Sequence, residues 1–209
     1  MTLTAQMRRQ FIALAMKRVQ PGTGSSLEFL DRRTWVHPVT NLKNIIKQKP
    51  FVIVGGVATR LYMPERVTLD LDILVLAKDA PQIYEELTVA GGRKVRELNI
   101  PGSQWDLSDG TSLDVLEGNE VWTKKAVTTP NYSPDGQPII SLPYLVLMKL
   151  QASRTQDLAD VSRMLGGADE ATLTDVRGVI LKYLPDARED VGSLIILGKL
   201  ERSPRENVE

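Results

Sequence analysis

The fold is decided by residues 51–75, FVIVGGVATRLYMPERVTLDLDILV. The run Phe51–Val54 is apolar and rich in β-branched residues, and Gly55-Gly56 follows it directly. The sequence therefore predicts a buried strand that enters a tight turn. The next residues predict a short helix over Val57–Met63. The residues from Val67 to Ala77 then predict the strongest strand of the chain, because apolar and polar side chains alternate along its first half.

The rest of the chain predicts an α+β protein, in which a small mixed β-sheet is flanked by helices and followed by a C-terminal helical region. Further helices are predicted over residues 4–19, 41–48, 79–90, 141–165, 172–183 and 187–200, and short strands over residues 94–100, 104–107 and 111–116. The pattern over residues 141–165 also allows a break within that helix. In the first helix, Met7, Phe11, Leu14 and Ala15 recur at helical spacing and are predicted to form its buried stripe.

Composition excludes several kinds of site. Lysine and arginine number 26, as do aspartate and glutamate, so the net charge is zero and a nucleic-acid partner would need a local basic patch. There is no cysteine, which excludes a disulfide framework, a thiolate metal site and cysteine catalysis. His37 is the only histidine, which excludes a multi-histidine zinc site. No apolar run approaches the roughly 18 residues of a membrane span, so we expect a soluble, cytoplasmic protein.

Three aspartates are the candidate metal ligands. Side chains alternate along a strand, so Asp70 and Asp72 are expected on one face, roughly 7 Å apart. Asp114 lies between apolar neighbours and would converge with them if its strand runs beside theirs. Carboxylates this close repel one another unless they share a proton or a cation, and hard oxygen ligands suit Mg²⁺ or Mn²⁺. The pattern favours a two-metal site, and the alternative is a solvated strand face.

The glycine turn before them is a candidate phosphate site. Gly55 and Gly56 have no side chains, so backbone N–H groups could approach a triphosphate there, and the helix that follows would aim its positive end at it. Close packing between strand and helix is the alternative use of the two glycines. Arg66 and Thr68 could either orient the aspartates or contact a nucleotide.

Three segments carry a resemblance to a known family: GGVATRLY, RVTLDLDI and LMKLQASRTQDLADV, which together fall between Phe51 and Leu165. The order of apolar strand, Gly-Gly, Asp-Leu-Asp and a later apolar-Asp-apolar strand resembles the DNA polymerase β-type nucleotidyltransferase superfamily. The residues of these three segments are most similar to those of the bacterial group that contains the AbiEii abortive-infection toxins and related minimal nucleotidyltransferases.

The resemblance implies a function and a role for each residue. In that family, the residues matching Asp70 and Asp72 bind metal, the residue matching Asp114 completes the site, and the glycine turn holds the phosphates. The implied reaction transfers NMP from an NTP to a hydroxyl of tRNA or protein, with Mg²⁺ or Mn²⁺. The implied context is the toxin of a toxin–antitoxin or abortive-infection system with a cognate antitoxin. Residues 1–142 would be the nucleotidyltransferase domain with its N-terminal helices, and residues 143–209 would close the cleft.

The helix predicted over residues 141–165 adds further candidates for nucleotide binding. At 100° per residue, Lys149, Ser153 and Asp160 fall within about 40° of one another, and Lys149 resembles the phosphate-contacting lysine of related toxins. An exposed lysine without a ligand is the alternative. Arg154 falls on the apolar stripe, where a charge needs a partner, and Asp157 could supply one. That pair would be either a nucleotide contact or a structural ion pair.

Two other functions compete with the transferase. One is a catalytically silent nucleotide-binding or antitoxin-like module, in which the aspartates remain but no acceptor site exists. The other is a phosphatase of the haloacid dehalogenase type, which also uses Asp-x-Asp after a strand. That group places its motif at the end of the first strand, whereas here a glycine turn and a short helix come before it.

Overall fold

A computed structural model describes residues 5–22, 39–63, 68 and 70–203 of the chain. In these residues the chain forms one seven-stranded sheet and eight α-helices. The strands are β1 (Phe51–Val54), β2 (Leu71–Leu76), β3 (Arg93–Glu97), β4 (Gly102–Asp106), β5 (Ser112–Gly118), β6 (Asn131–Tyr132) and β7 (Pro138–Ile139). The helices are α1 (Ala5–Arg18), α2 (Gly55–Thr59), α3 (Ala80–Val89), α4 (Val121–Thr128), α5 (Leu142–Ala152), α6 (Thr155–Gly166), α7 (Glu170–Tyr183) and α8 (Arg188–Arg202). The predicted α+β class, a mixed sheet with a C-terminal helical region, is confirmed.

The chain divides into two compact units. The sheet unit comprises Thr34–Leu61 and Glu65–Ser141 and holds all the described strands together with α2, α3 and α4. The helical unit comprises Met1–Arg33, Tyr62–Pro64 and Leu142–Glu209 and holds α1 and α5 to α8. Helix α1 packs on α8 and lies with it in the helical unit. None of the described helices is long and apolar enough to cross a membrane.

The sheet is mixed because it contains both parallel and antiparallel strand pairs. The strand order is β3-β4-β5-β2-β1-β7-β6. Strand β2 is antiparallel to β1 and parallel to β5, and β3, β4 and β5 form an antiparallel meander. All four residues of β1 are buried, as expected for an apolar run at the centre of a sheet.

One face of the β3–β4–β5 meander packs on helix α3. The rings of Tyr84 on α3 and Trp105 on β4 stack with their centroids 5.3 Å apart. Trp105 is paired with Leu113 on β5, and both side chains are buried. Asp114 follows Leu113 in the strand, so its side chain points to the other face of the sheet. The face that carries Asp114 is therefore opposite to α3.

The helix predicted over residues 41–48 is wrong. Only a 3₁₀ turn over Leu42–Asn44 forms there. Side chains take the place of helical carbonyls as hydrogen-bond acceptors: the backbone N–H of Leu42 donates to Gln137, and those of Lys47 and Gln48 donate to the carboxylate of Glu86. These contacts come from segments distant in the sequence, which a local pattern does not contain.

The first helix is confirmed, but its predicted buried stripe is wrong. Met7, Phe11 and Leu14 are 42%, 41% and 46% exposed, whereas Arg8 and Ile12 are buried. Arg8 is buried because its guanidinium donates to two carboxylates of the helical unit. The ion pairs, and not the apolar periodicity, determine which face of α1 is turned inward.

The remaining predicted elements are confirmed to within a few residues, with two exceptions. Helix α4 and the two-residue strands β6 and β7 were not predicted. The helix predicted over residues 141–165 is two helices, α5 and α6, which separate at Ser153 and Arg154. Ser153 has a φ of 51°, which is a left-handed conformation that a continuous α-helix does not contain.

Candidate active site

Asp72 and Asp114 lie side by side in the sheet. Strands β2 and β5 are parallel, and their register pairs Asp72 with Asp114 directly. Neighbouring strands are about 4.8 Å apart, and paired residues project to the same face. The structure thus brings together two of the three predicted carboxylates, and it does so through the register of a parallel pair.

Asp114 is in a strained electrostatic position. Its Oδ1 is buried and accepts no hydrogen bond from any described residue. Burial raises the pKa of Asp114, and the nearby charge of Asp70 raises it further, while a hydrogen bond from Gln104 and the charge of Arg96 act in the opposite direction. The net direction is upward, so the charged form is disfavoured. A cation beside this carboxylate would relieve that cost.

Asp70 occupies a different kind of position. The strand predicted over residues 67–77 begins at Leu71 in the described chain, so Asp70 precedes β2 and is exposed. Its charge acts on Asp114, so it lies near the pair. Among the described residues, however, no three histidine, cysteine, aspartate or glutamate side chains form a group that could hold a metal ion. The predicted set of three is therefore a close pair with one neighbour.

The glycine turn packs directly on Asp72. Gly55 has a φ of +63°, and a Cβ atom at this position would overlap the Asp72 carboxylate. A Cβ on Gly56 would come within 2.8 Å of the Thr68 hydroxyl oxygen. Both glycines therefore serve close approach, and α2, which starts here, is only five residues long. Phosphate binding by this turn stays a prediction, and Arg66 lies outside the described residues.

The predicted residues of the C-terminal region meet in a buried ionic cluster within the helical unit. The Nζ of Lys149 lies 3.1 Å from an oxygen of Asp157 and 2.7 Å from an oxygen of Asp160. Arg154 contacts Asp157 through Nε at 2.7 Å, which confirms the predicted ion pair. Lys149, Asp157 and Asp160 are all buried, whereas Arg154 is exposed.

The prediction that Lys149 and Asp160 lie on one face of a single helix is wrong. Lys149 and Asp160 do not share one helical face, because they belong to α5 and α6, and the break at Ser153 turns the two helices toward each other. Burial would raise the pKa of Asp157, but the hydrogen bond from Arg154 and the charge of Lys149 outweigh it and hold the pKa below its usual value. A role for Lys149, Ser153, Arg154 and Asp157 in nucleotide binding stays a prediction.

Sequence reasoning missed two groups of residues. In the helical unit, Arg8 contacts Asp190 at 2.6 Å and Asp186 at 3.1 Å. In the sheet unit, Gln104 and Arg96 stand in the same cross-strand row as Asp114. In the sequence, the alternation of side chains along β3 and β4 is the signal that could have pointed to Gln104 and Arg96. Alternation shows which residues of a strand share a face, but the register between strands is needed to tell which of them lie beside Asp114.

Comparisons with known proteins give a limited result. The sequence matches no family model and no curated protein. Among solved structures, it is similar to ANT(2")-Ia in complex with adenylyl-2"-tobramycin, at 16% identity over 73% of this chain and 88% of that chain, with a TM-score of 0.40. The Cid1 poly(U) polymerase is 19% identical over 76% of this chain and 45% of its own, with a TM-score of 0.29. The Thermotoga maritima CCA-adding enzyme complexed with tRNA is 15% identical over 76% of this chain and 50% of its own, with a TM-score of 0.31. These neighbours are nucleotidyltransferases, but such low identities and TM-scores place the chain in no family.

Proposed function

We propose that the chain is a metal-dependent nucleotidyltransferase. A hydroxyl of the acceptor attacks the α-phosphate of an NTP, the bond from that phosphorus to the bridging oxygen breaks, and pyrophosphate leaves. The observation that carries the proposal is the parallel register that sets Asp72 beside Asp114, with the Gly55 turn packed against Asp72. Phosphoryl transfer depends mainly on positioned charges, and a carboxylate pair beside a glycine turn is suited to supply them.

The residues of this pair fit a divalent cation such as Mg²⁺ or Mn²⁺. Mg²⁺ is usually held by one or two carboxylates, with phosphate oxygens and water completing its shell, so a full protein cage is not needed. The buried Oδ1 of Asp114, which has no hydrogen-bond partner among the described residues, would gain a ligand. When bound, the ion would neutralise charge on the phosphates and make the attacking hydroxyl more acidic.

The other predicted residues have proposed roles of their own. Asp70 is proposed as a third ligand that comes closer when a cation is present, because its charge already acts on Asp114. Thr68 and Arg66 are proposed either to orient the aspartates or to contact the nucleotide. In the helical unit, Lys149 already contacts two buried carboxylates, so a phosphate would have to compete with them.

The finer parts of the proposal rest on sequence resemblance. These are transfer to a tRNA or protein hydroxyl, action as the toxin of a toxin–antitoxin system with a cognate antitoxin, and a cytoplasmic location. The experiment that tests the acceptor incubates the protein with each of the four α-labelled NTPs in cell extract and identifies what becomes labelled.

The central experiment compares carboxylate variants. Asp72→Asn and Asp114→Asn should each lower transfer from α-labelled NTP by at least about 100-fold, and should abolish Mg²⁺-dependent NTP binding in calorimetry. Asp106→Asn is the matched control, since Asp106 lies on the same face one strand away and pairs with Arg93. Full transfer by Asp72→Asn would contradict the mechanism.

A second candidate is the catalytically silent nucleotide-binding or antitoxin-like module. It is favoured by the ion pairs of Lys149 with Asp157 and Asp160, which already engage the lysine predicted to contact a phosphate. The same experiments separate the two functions. Binding of NTP without labelling of any acceptor supports the module, whereas metal-dependent labelling that is lost in Asp114→Asn supports the transferase.

A further inference from the structure

Strand β3 carries three cationic side chains at the edge of the sheet, and one of them differs from the other two in its partner. All five residues of β3 are exposed. Arg93 pairs with Asp106 at 3.0 Å, and Lys94 pairs with Glu97 at 2.6 Å. Arg96 forms no ion pair within the described part of the chain; its Nε donates to the side-chain oxygen of Gln104 at 2.8 Å. Its positive charge is therefore held in place by an amide and not neutralised by a carboxylate.

The strand registers put Arg96 in line with the proposed site. Arg96 pairs with Gln104, Gln104 pairs with Asp114, and Asp114 pairs with Asp72. The four side chains thus form one cross-strand row on one face of the sheet. At about 4.8 Å per strand, Arg96 stands two strands, or roughly 10 Å, beyond Asp114.

A bulge in β3 is what brings Arg96 to this face. The pairing of β3 with β4 shifts between Lys94 and Arg96. Lys94 pairs with Trp105, on the face packed against α3, and its ammonium lies over the Tyr84 ring. Without the shift, Lys94 and Arg96 would point the same way. The extra residue separates them and turns Arg96 to the face of the aspartates.

The anchored guanidinium is suited to bind a phosphate. A hydrogen bond at Nε fixes the plane of the guanidinium, while the two terminal nitrogens keep the paired geometry that matches phosphate oxygens. Less side-chain entropy is then lost on binding than for an unanchored arginine. The ordinary use of charge on an edge strand, to block pairing with another chain, requires no such anchor.

The order of the four side chains in the cross-strand row indicates which phosphate group Arg96 would bind. In an in-line displacement the attacking and leaving oxygens lie on opposite sides of the phosphorus. The glycine turn, where the leaving phosphates are proposed to bind, lies at the β1 end of the row, and Arg96 lies at the other end. We propose that Arg96 binds a phosphate group of the acceptor, on the β3 side of Asp114. This inference rests on the proposed function.

The test measures binding of a defined acceptor probe. The probe is a fluorescein-labelled single-stranded RNA of about twelve nucleotides with a free 3′-hydroxyl. Its binding is measured by fluorescence anisotropy at several salt concentrations. Arg96→Ala should weaken binding about tenfold and reduce the slope of log K against log salt by about 0.7. Arg96→Lys should retain part of both. Arg93→Ala, which removes a paired cation from the same strand and face, should change neither.

Calorimetry with Mg²⁺ and NTP on the same proteins separates this inference from the proposed function. The expected result is that Arg96→Ala binds Mg²⁺–NTP as tightly as the unmodified chain does. If the unmodified chain binds Mg²⁺–NTP but Arg96→Ala binds RNA normally, or if the unmodified chain binds no RNA, only the role of Arg96 is overturned. Equal weakening of NTP and RNA binding would also overturn it, by assigning Arg96 to the nucleotide. Failure of the unmodified chain to bind Mg²⁺–NTP would overturn both.

Discussion

At the residue scale, the site combines features that are unfavourable for stability. Two aspartates are direct neighbours across parallel strands, and one oxygen of Asp114 is buried without a hydrogen-bond partner in the described chain. Like charges in such positions destabilise a fold, and an unsatisfied buried oxygen costs about 1–3 kcal/mol. Costs of this kind persist where function requires them, which is why the pair is informative.

Gly55 and Gly110 provide a matched test of the turn. Both have positive φ, but a Cβ on Gly55 would overlap Asp72, whereas a Cβ on Gly110 has nothing within 4 Å. Each change to alanine should cost about 1 kcal/mol of backbone strain. Only Gly55→Ala should also displace Asp72 and abolish Mg²⁺-dependent NTP binding in calorimetry. Retained binding in Gly55→Ala would mean that the turn tolerates a side chain and that its contact with Asp72 is incidental.

At the element scale, the buried cluster between α5 and α6 predicts a pH dependence. Because the pKa of Asp157 is held below its usual value, the ion pair with Lys149 stabilises the fold above the unfolded pKa of about 4 and is lost as the pH falls further. Asp157→Asn should therefore lower the free energy of unfolding by about 3 kcal/mol between pH 5 and pH 7. The difference should shrink below about pH 4. Urea denaturation across this range measures it, and a difference independent of pH would contradict the assignment.

Helices α6 and α8 make the second element-scale prediction. A Cβ on Gly198 would overlap the backbone of Ser162 and Gly166, whereas a Cβ on Gly192, in the same helix, meets nothing. Gly198→Ala should separate the helices and cost about 1–3 kcal/mol. Gly192→Ala should instead stabilise the protein by about 0.5–1 kcal/mol, since alanine favours the helix. Thermal unfolding of the two variants compares them directly, and equal shifts would show that the contact is not tight.

Local patterns predicted most elements, and the failures share a cause. The runs at Phe51–Val54 and Leu71–Leu76 were predicted correctly because both are rich in apolar and β-branched residues, which is typical of strands as largely buried as these. The helix over residues 41–48 and the inward face of α1 were predicted wrongly, and the position of the break at Ser153 was not predicted. In each case a hydrogen bond or ion pair to a distant segment outweighs local propensity.

At the scale of the whole molecule, tryptophan fluorescence reports on the unfolding of the sheet unit and not on that of the helical unit. All three tryptophans of the sequence fall between residues 34 and 141, in the range of the sheet unit. Mg²⁺ and NTP together, at about 100 times their dissociation constant, should stabilise the folded sheet unit by about 2.7 kcal/mol. The unfolding midpoint followed by tryptophan fluorescence should rise, and it should rise further than with Mg²⁺ alone. An unchanged fluorescence midpoint at saturating NTP would contradict nucleotide binding by this unit.

The site could be predicted from the sequence only as a set of candidates. Asp72 and Asp114 were identified by their apolar surroundings, but their contact depends on β5 pairing with β2 across an intervening hairpin. The same pairing determines that Gln104 and Arg96 belong to the row. No local pattern encodes a register between strands so far apart in the chain, so these neighbours became visible only with the fold.

The parallel pairing of β2 and β5 also governs when the site can exist during folding. Helix α3 and strands β3 and β4 lie between the two strands in the sequence, and all of them must close into a loop before Asp114 can reach Asp72. Contacts that close long loops form slowly. A chain still emerging from the ribosome therefore has the glycine turn and Asp72 but not yet the pair that Asp72 forms with Asp114. If the chain is the proposed transferase, a nascent chain that still lacks β5 would lack the carboxylate pair that the reaction needs, and it could not act on nucleotides prematurely.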